Sequence, residues 1–146
     1  MFRGSASAKI DDKSRLKIPT DFRRILDERY GPELFVTSVS GDSALIYPLP
    51  VWEEIEARLT AAPSSDPVKQ RYLERVNFFG QQTGVDAQGR ISIPPTLRES
   101  AEIHGEVMVL GKINHLEVWN RERIGLRLKE QPFTDADFHA LTERGI

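Results

Sequence analysis

The chain has 146 residues, a formal net charge of −2 and 39% hydrophobic residues, which suits one compact unit or two small halves. It contains no cysteine, and this excludes a disulfide framework, a thiolate zinc site and a cysteine nucleophile. No apolar run approaches the ~20 residues of a membrane span, and no apolar stretch follows Arg3 to make a signal peptide, so a cytoplasmic protein is expected.

Taken in order, Ser5 to Ile10 alternates, with Ala6, Ala8 and Ile10 on one face. This strand is expected to pair with Leu16–Ile18 across the loop between them. Thr20 to Glu28 reads as a helix with an apolar face of Phe22, Ile25 and Leu26, stopped by Gly31-Pro32. Leu34 to Val39 and Ala44 to Tyr47 read as strands around a Gly41-Asp42-Ser43 turn. Pro48-Leu49-Pro50 then opens a helix carrying Trp52, Ile55 and Leu59. After the loop-rich stretch 61–67 comes a helix from Pro67 to Phe79, with Val68, Tyr72, Val76 and Phe79 on one side.

The same order follows again. Thr83–Val85 is expected to pair with Ile91–Ile93. Thr96–Ala101 is helical, and Val107–Leu110 and Leu116–Trp119 are strands. Asn120 caps a helix bearing Ile124 and Leu128. Beyond Pro132, Thr134 caps a last short helix holding Phe138 and Leu141, a tail that reads as having no counterpart in the first half.

The recurrence is sharpest in one stretch. Ile10-Asp11-Asp12-Lys13-Ser14-Arg15-Leu16-Lys17-Ile18-Pro19-Thr20-Asp21-Phe22-Arg23 and Val85-Asp86-Ala87-Gln88-Gly89-Arg90-Ile91-Ser92-Ile93-Pro94-Pro95-Thr96-Leu97-Arg98 share the pattern apolar-Asp-x-x-x-Arg-apolar-x-Ile-Pro-x-x-apolar-Arg, 75 positions apart (86 − 11 = 75). In each copy, the Asp opens a hairpin-type loop by accepting turn amides, and Gly89 suits the left-handed position that closes it. The alternation that follows puts Arg15 and Lys17 on one face and Leu16 on the other, then Arg90 and Ser92 opposite Ile91. Ile-Pro ends the strand and starts a helix.

These two turns, both Ile-Pro steps, the opening Met1-Phe2-Arg3-Gly4 and Phe78-Phe79 resemble the MraZ family of bacterial transcriptional regulators, over roughly residues 1 to 125. The resemblance implies an α+β fold: two tandem AbrB-like (swapped-hairpin, small β-barrel) repeats packed as an intrachain pseudo-dimer, with linking and peripheral helices. The expected division is repeat 1 over 5–52, a helical connector over 53–81, repeat 2 over 82–125 and a C-terminal helical extension over 126–146. It further implies double-stranded DNA as partner, read as short direct repeats in the chain's own promoter. That promoter would lie upstream of a division and cell-wall gene cluster and be repressed by a ring-shaped homo-oligomer at the nucleoid. One departure is Ser14, where the family has glycine. A non-glycine residue in the left-handed region costs about 1 kcal/mol, so a less regular first turn is expected.

The charge is clustered. Residues 1–24 hold Arg3, Lys9, Lys13, Arg15, Lys17, Arg23 and Arg24 against Asp11, Asp12 and Asp21, a net of +4 in a chain whose total is −2. Such a run is either a solvated face or a polyanion footprint. On the resemblance, Arg15 is expected to contact DNA with its planar fork of donors, with Lys13, Lys17, Lys9 and Arg3 around it on phosphates. Arg90 carries either the same role or an ion pair with Asp86. Asp11, Asp86 and Gly89 are expected to shape the turns. Trp52 and Trp119 read as core rather than base-stacking platforms, as do Phe78 and Phe79.

No catalytic constellation appears. His104, His115 and His139 lack metal spacing, there is no Walker-type phosphate loop, and Asp11-Asp12 and Glu53-Glu54 sit in a turn and on a helix surface, where no pKa shift is expected. No enzyme, metal, cofactor, membrane or small-molecule substrate is therefore expected. The other open class is an oligomeric scaffold or antitoxin-like interaction module that does not bind DNA, which would need exposed apolar area at the turns.

Overall fold

Two periodicities build the chain, and they recur in the same sequence. The computed structural model describes residues 1–146 and has, in order, β1 (Ser5–Lys9), β2 (Arg15–Lys17), α1 (Thr20–Arg29), β3 (Glu33–Thr37), β4 (Ala44–Pro48), α2 (Leu49–Ala61) and α3 (Pro67–Phe78). There follow β5 (Gln81–Gly84), β6 (Arg90–Ser92), α4 (Pro95–Ala101), β7 (Glu106–Gly111), β8 (Leu116–Asn120), α5 (Arg121–Glu130) and α6 (Asp135–Glu143). The fold is α+β, with two tandem β-rich repeats. α6 follows α5 as α3 follows α2, so the tail does have a counterpart in the order of elements, contrary to the sequence expectation.

Helix ends follow local chemistry. The side chain of Asn120 accepts the amides of Glu122 and Arg123 at 3.0 and 3.1 Å, and Thr134 and Asp137 form a reciprocal capping box at α6. Prolines 19, 48 and 94 stand just before α1, α2 and α4 with φ near −54°, a value their rings fix.

The expected strand pairing within each turn is corrected. β1 pairs with β7 over Ser5↔Leu110 to Lys9↔Glu106, and β5 pairs with β3 over Glu33↔Gly84 to Val36↔Gln81. Across the first turn only the single bridge Ile10↔Leu16 remains. After it the Ile10 amide donates to Gly105 O at 2.9 Å and the Ile18 amide to Gly89 O at 2.9 Å. The alternation sets which face each residue shows. It does not set the ladder partner, and a three-residue β2 cannot satisfy the five residues of β1. Each repeat therefore lends its first strand to the other.

The result is a six-stranded sheet in the order β1-β7-β8-β4-β3-β5, and a two-stranded ribbon, β2-β6. Only β3–β4 and β7–β8 pair within a repeat. The β2–β6 and β4–β8 pairs join equivalent strands across a pseudo-dyad. β2 lies against β1 and β6 against β5, so the ribbon touches both edge strands.

Leu16, Ile18, Leu34, Val36, Ile91, Ile93, Val107 and Val109 meet in one core drawn from both repeats. Burying each such side chain contributes about 1.5–3 kcal/mol, and neither half can do so alone. A second cluster places Trp52, 4% exposed, with Tyr47, Val51 and Val76, its ring stacked 4.6 Å from Phe35. Trp119 is also buried, with Arg127 over its ring. Phe79 is core, but its neighbour Phe78 is 69% exposed, a correction to reading both as buried. Adjacent residues at a helix end point in different directions, and only one of these two faces the sheet.

Candidate nucleic-acid interface

Each turn is built on one aspartate. Asp11 Oδ1 accepts the amides of Lys13 and Arg15, both at 2.9 Å, and Asp86 Oδ1 accepts those of Gln88 and Arg90 at 2.8 and 2.9 Å. These backbone donors, Arg15 N for Asp11 and Arg90 N for Asp86 above all, hold both carboxyls below their ordinary range, and the Arg15 and Arg90 charges add to the effect. Surface carboxylates do shift here, against expectation, because turn amides rather than burial act on them.

The first turn is as regular as the second, which corrects the expectation drawn from Ser14. Ser14 N donates to Asp11 O and Gly89 N to Asp86 O, each at 3.0 Å, and Asp11 N to Arg15 O and Asp86 N to Arg90 O, again at 3.0 Å. Ser14 adopts φ 62° and Gly89 φ 78°. The serine takes the left-handed conformation with its hydroxyl paired: Arg98 Nη1 donates to Ser14 Oγ at 2.8 Å.

The ribbon register joins the turns into one surface. Arg15 stands opposite Ser92, Leu16 opposite Ile91, and Lys17 opposite Arg90. Leu16 and Ile91 point into the core. Arg15, Lys17, Arg90 and Ser92 therefore share the outer face, with Lys13 exposed in the first turn beside them. Arg15 is not freely exposed: its Nε donates to Asp11 Oδ2 at 3.0 Å and 27% of its side chain is accessible. Arg90 is held more loosely, with Nη1 3.9 Å from Asp11 Oδ2 and Nε 3.8 Å from Asp86 Oδ2, and that Nε has no hydrogen-bond partner. Arg15 is thus fixed at its root by Asp11, while Arg90 lies within ion-pair distance of both turn aspartates.

Lys9 ends β1 beside the first turn and is exposed. Arg3 does not surround Arg15. It lies at the other end of β1, next to the Phe2↔Ile113 bridge and Gly111, roughly 20 Å from Lys9 at ~3.3 Å per strand residue. No apolar patch lies at the turns: their exposed residues are Asp12, Lys13, Lys17, Asp86, Ala87, Gln88 and Ser92. No group of three or more His, Asp or Glu is placed to hold a metal ion, and no helix is long and apolar enough to cross a membrane.

A family model described as "MraZ protein, putative antitoxin-like" matches residues 1–75 and 80–144. The chain belongs to the MraZ family. Similar members include the "Transcriptional regulator MraZ" of Acidobacterium capsulatum, 45% identical over 146 residues and the full length of both chains. That of Koribacter versatilis is 44% identical, again over both full lengths. That of Herpetosiphon aurantiacus is 40% identical over 84% of this chain and 83% of the relative.

Within this MraZ-family chain two further arginines matter, to which the sequence reading gave no role at the turns. Arg23 and Arg98 occupy equivalent positions after the Ile-Pro steps. Arg98 reaches the first turn at Ser14, and also donates from Nε to Ile93 O at 3.0 Å. Arg23 reaches the second turn, donating from Nη2 to Ala87 O at 3.3 Å. A side-chain carbon at Gly89 would lie 2.8 Å from Arg23 Nη1, so the glycine leaves room for the same buttress that the serine accepts as a donor. Each repeat's helix thus props up the other repeat's turn. The signal was present in the sequence as the arginine that recurs at the end of the repeated stretch.

Proposed function

We propose that this chain is a sequence-specific DNA-binding transcriptional regulator whose outer ribbon face is the DNA contact. The observation that carries this reading is the register that sets Arg15, Lys17 and Arg90 side by side on a rigid two-stranded ribbon. A two-stranded ribbon fits the major groove. Arg15 and Arg90 present forked donors to base edges, and Lys13, Lys17 and Lys9 neutralise phosphates. Asp11, Asp86 and Gly89 shape the turns, and Arg23 and Arg98 position them.

The full-length likeness to relatives named transcriptional regulators supports the same reading. On this account the chain works in the cytoplasm at the nucleoid, with double-stranded DNA as its partner and no cofactor or small-molecule substrate. It binds short direct repeats in its own promoter as a ring-shaped homo-oligomer and represses that promoter and the division and cell-wall genes beyond it. A salt-titrated mobility shift on the chain's own upstream DNA, with a scrambled duplex as control, tests this. A specific complex that weakens steeply with salt is expected. Equal affinity for both duplexes would instead leave the scaffold or antitoxin-like class.

A further inference from the structure

The two ends of the ribbon are built alike and charged differently. Beside the first turn, β1 and β7 set Lys9 opposite Glu106. The corresponding pair beside the second turn is Gly84 opposite Glu33. Arg121 opens α5, where Leu49 opens α2.

A groove at the first-turn end is lined by Lys9, Glu106 and Arg121 and continues past His104 and Glu122 to Lys129. The Ile10–Gly105 hydrogen bond ties it to the turn. Lys9, Arg121 and Lys129 are exposed, and no carboxylate lies within 4.0 Å of their charged atoms. At the positions matching Gly125, Leu126 and Lys129 of α5, α2 carries Glu53, Glu54 and Ala57. These acids are exposed, as is Glu33.

The turns differ in the same sense: Lys13, Arg15 and Lys17 stand in the first, but Gln88, Arg90 and Ser92 in the second. A duplex carries a phosphate charge about every 1.7 Å along its axis, so its path favours the end where cations outnumber carboxylates: Lys9, Arg121 and Lys129 stand against Glu106 and Glu122 at the first-turn end, whereas the other end carries Glu33, Glu53 and Glu54.

We infer that DNA lies asymmetrically across the pseudo-dyad, running from the ribbon over the first-turn end along Lys9, Arg121 and Lys129 and leaving the surface before Glu33, Glu53 and Glu54, so that each chain grips its site in one orientation. This rests on the DNA-binding reading above. It adds Arg121 and Lys129 to the contact and makes a nearly symmetric scaffold read a directional site.

The absence of cysteine allows a direct test in the full chain. Gly125→Cys and Ala57→Cys, both at exposed helix positions, are each loaded with iron–EDTA and bound to the upstream DNA. The Gly125→Cys conjugate cuts one flank of each bound repeat, always on the same side, and the Ala57→Cys conjugate gives background cleavage. In parallel, the Arg121→Ala/Lys129→Ala double variant lowers the slope of log affinity against log salt by about 2, while Arg58→Ala on α2 leaves it unchanged. Equal cutting from both conjugates, or an unchanged slope in the double variant, overturns the directional grip while DNA binding itself stands. Failure of the unsubstituted chain to bind that DNA specifically overturns both.

Discussion

Arg98 Nη1 donates to Ser14 Oγ at 2.8 Å, an arginine of the second repeat holding the turn of the first. The left-handed backbone at Ser14 costs about 1 kcal/mol against glycine, and the hydrogen bond to a charged donor offsets it. Ser14→Gly is therefore expected to change stability by less than about 1 kcal/mol. Ser14→Ala keeps the strain and loses the acceptor, so it destabilises by about 1–2 kcal/mol. Denaturant unfolding measures both; an alanine variant as stable as the unsubstituted chain would contradict the role given to Arg98.

The turn aspartates predict a pH dependence. In the folded chain Asp11 and Asp86 titrate below their ordinary range because turn amides favour the carboxylate. The unfolded chain thus takes up protons first as pH falls from about 4, the ordinary aspartate value. Their contribution is complete above that pH and is lost as pH drops through the depressed folded values. Unfolding followed from pH 6 down to pH 2 should show a steeper acid loss in the unsubstituted chain than in Asp11→Asn/Asp86→Asn. Equal acid limbs would show that the turns do not hold these groups ionised.

Several large apolar side chains remain exposed, but on helices rather than strands: Val68 and Phe78 of α3, Leu126 and Leu128 of α5, and Phe138 of α6. This surplus lies on the helices, away from the ribbon, and offers copies of the chain a surface to meet on. Sedimentation at micromolar concentration should show a species heavier than the 16.6 kDa chain. A single species of chain mass would exclude the ring.

Joint binding by linked ribbons has a phase. One ribbon offers few cations and should bind weakly, near 10⁻⁴–10⁻⁶ M. Linking such sites raises affinity by about 10²–10⁴ without new contacts. Repeats on one side of the duplex recur near one helical turn, about 10 bp, so inserting ~5 bp between them should cost most of the affinity. A mobility shift insensitive to the insertion, or a single repeat bound as tightly as the array, would rule out shared binding.

Much of this molecule was legible in its residues. The recurrence of Asp11 and Asp86 marked both turns. Alternation placed Leu16 and Ile91 inward and Arg15 and Arg90 outward, and Asn120 and Thr134 announced their helices. Ladder partners were not legible. Ser5 to Lys9 reads the same whether it pairs with β2 or with β7, because hydrogen-bond partners are set by whichever backbone runs alongside. Arg3 was misplaced for a related reason, since closeness in sequence becomes distance along an extended strand. The buttresses escaped because their targets lie 64 and 84 positions away.

If the outer ribbon face reads DNA, Arg15 is the side chain whose loss should show it. Its ion pair with Asp11 is at the surface and contributes about 0–1 kcal/mol, so Arg15→Ala should unfold nearly where the unsubstituted chain does. Titrating both proteins against the upstream duplex and its scrambled control is the decisive measurement. The folded variant is expected to lose its preference for the upstream sequence. A folded Arg15→Ala chain that keeps that preference and affinity would contradict DNA reading by that face.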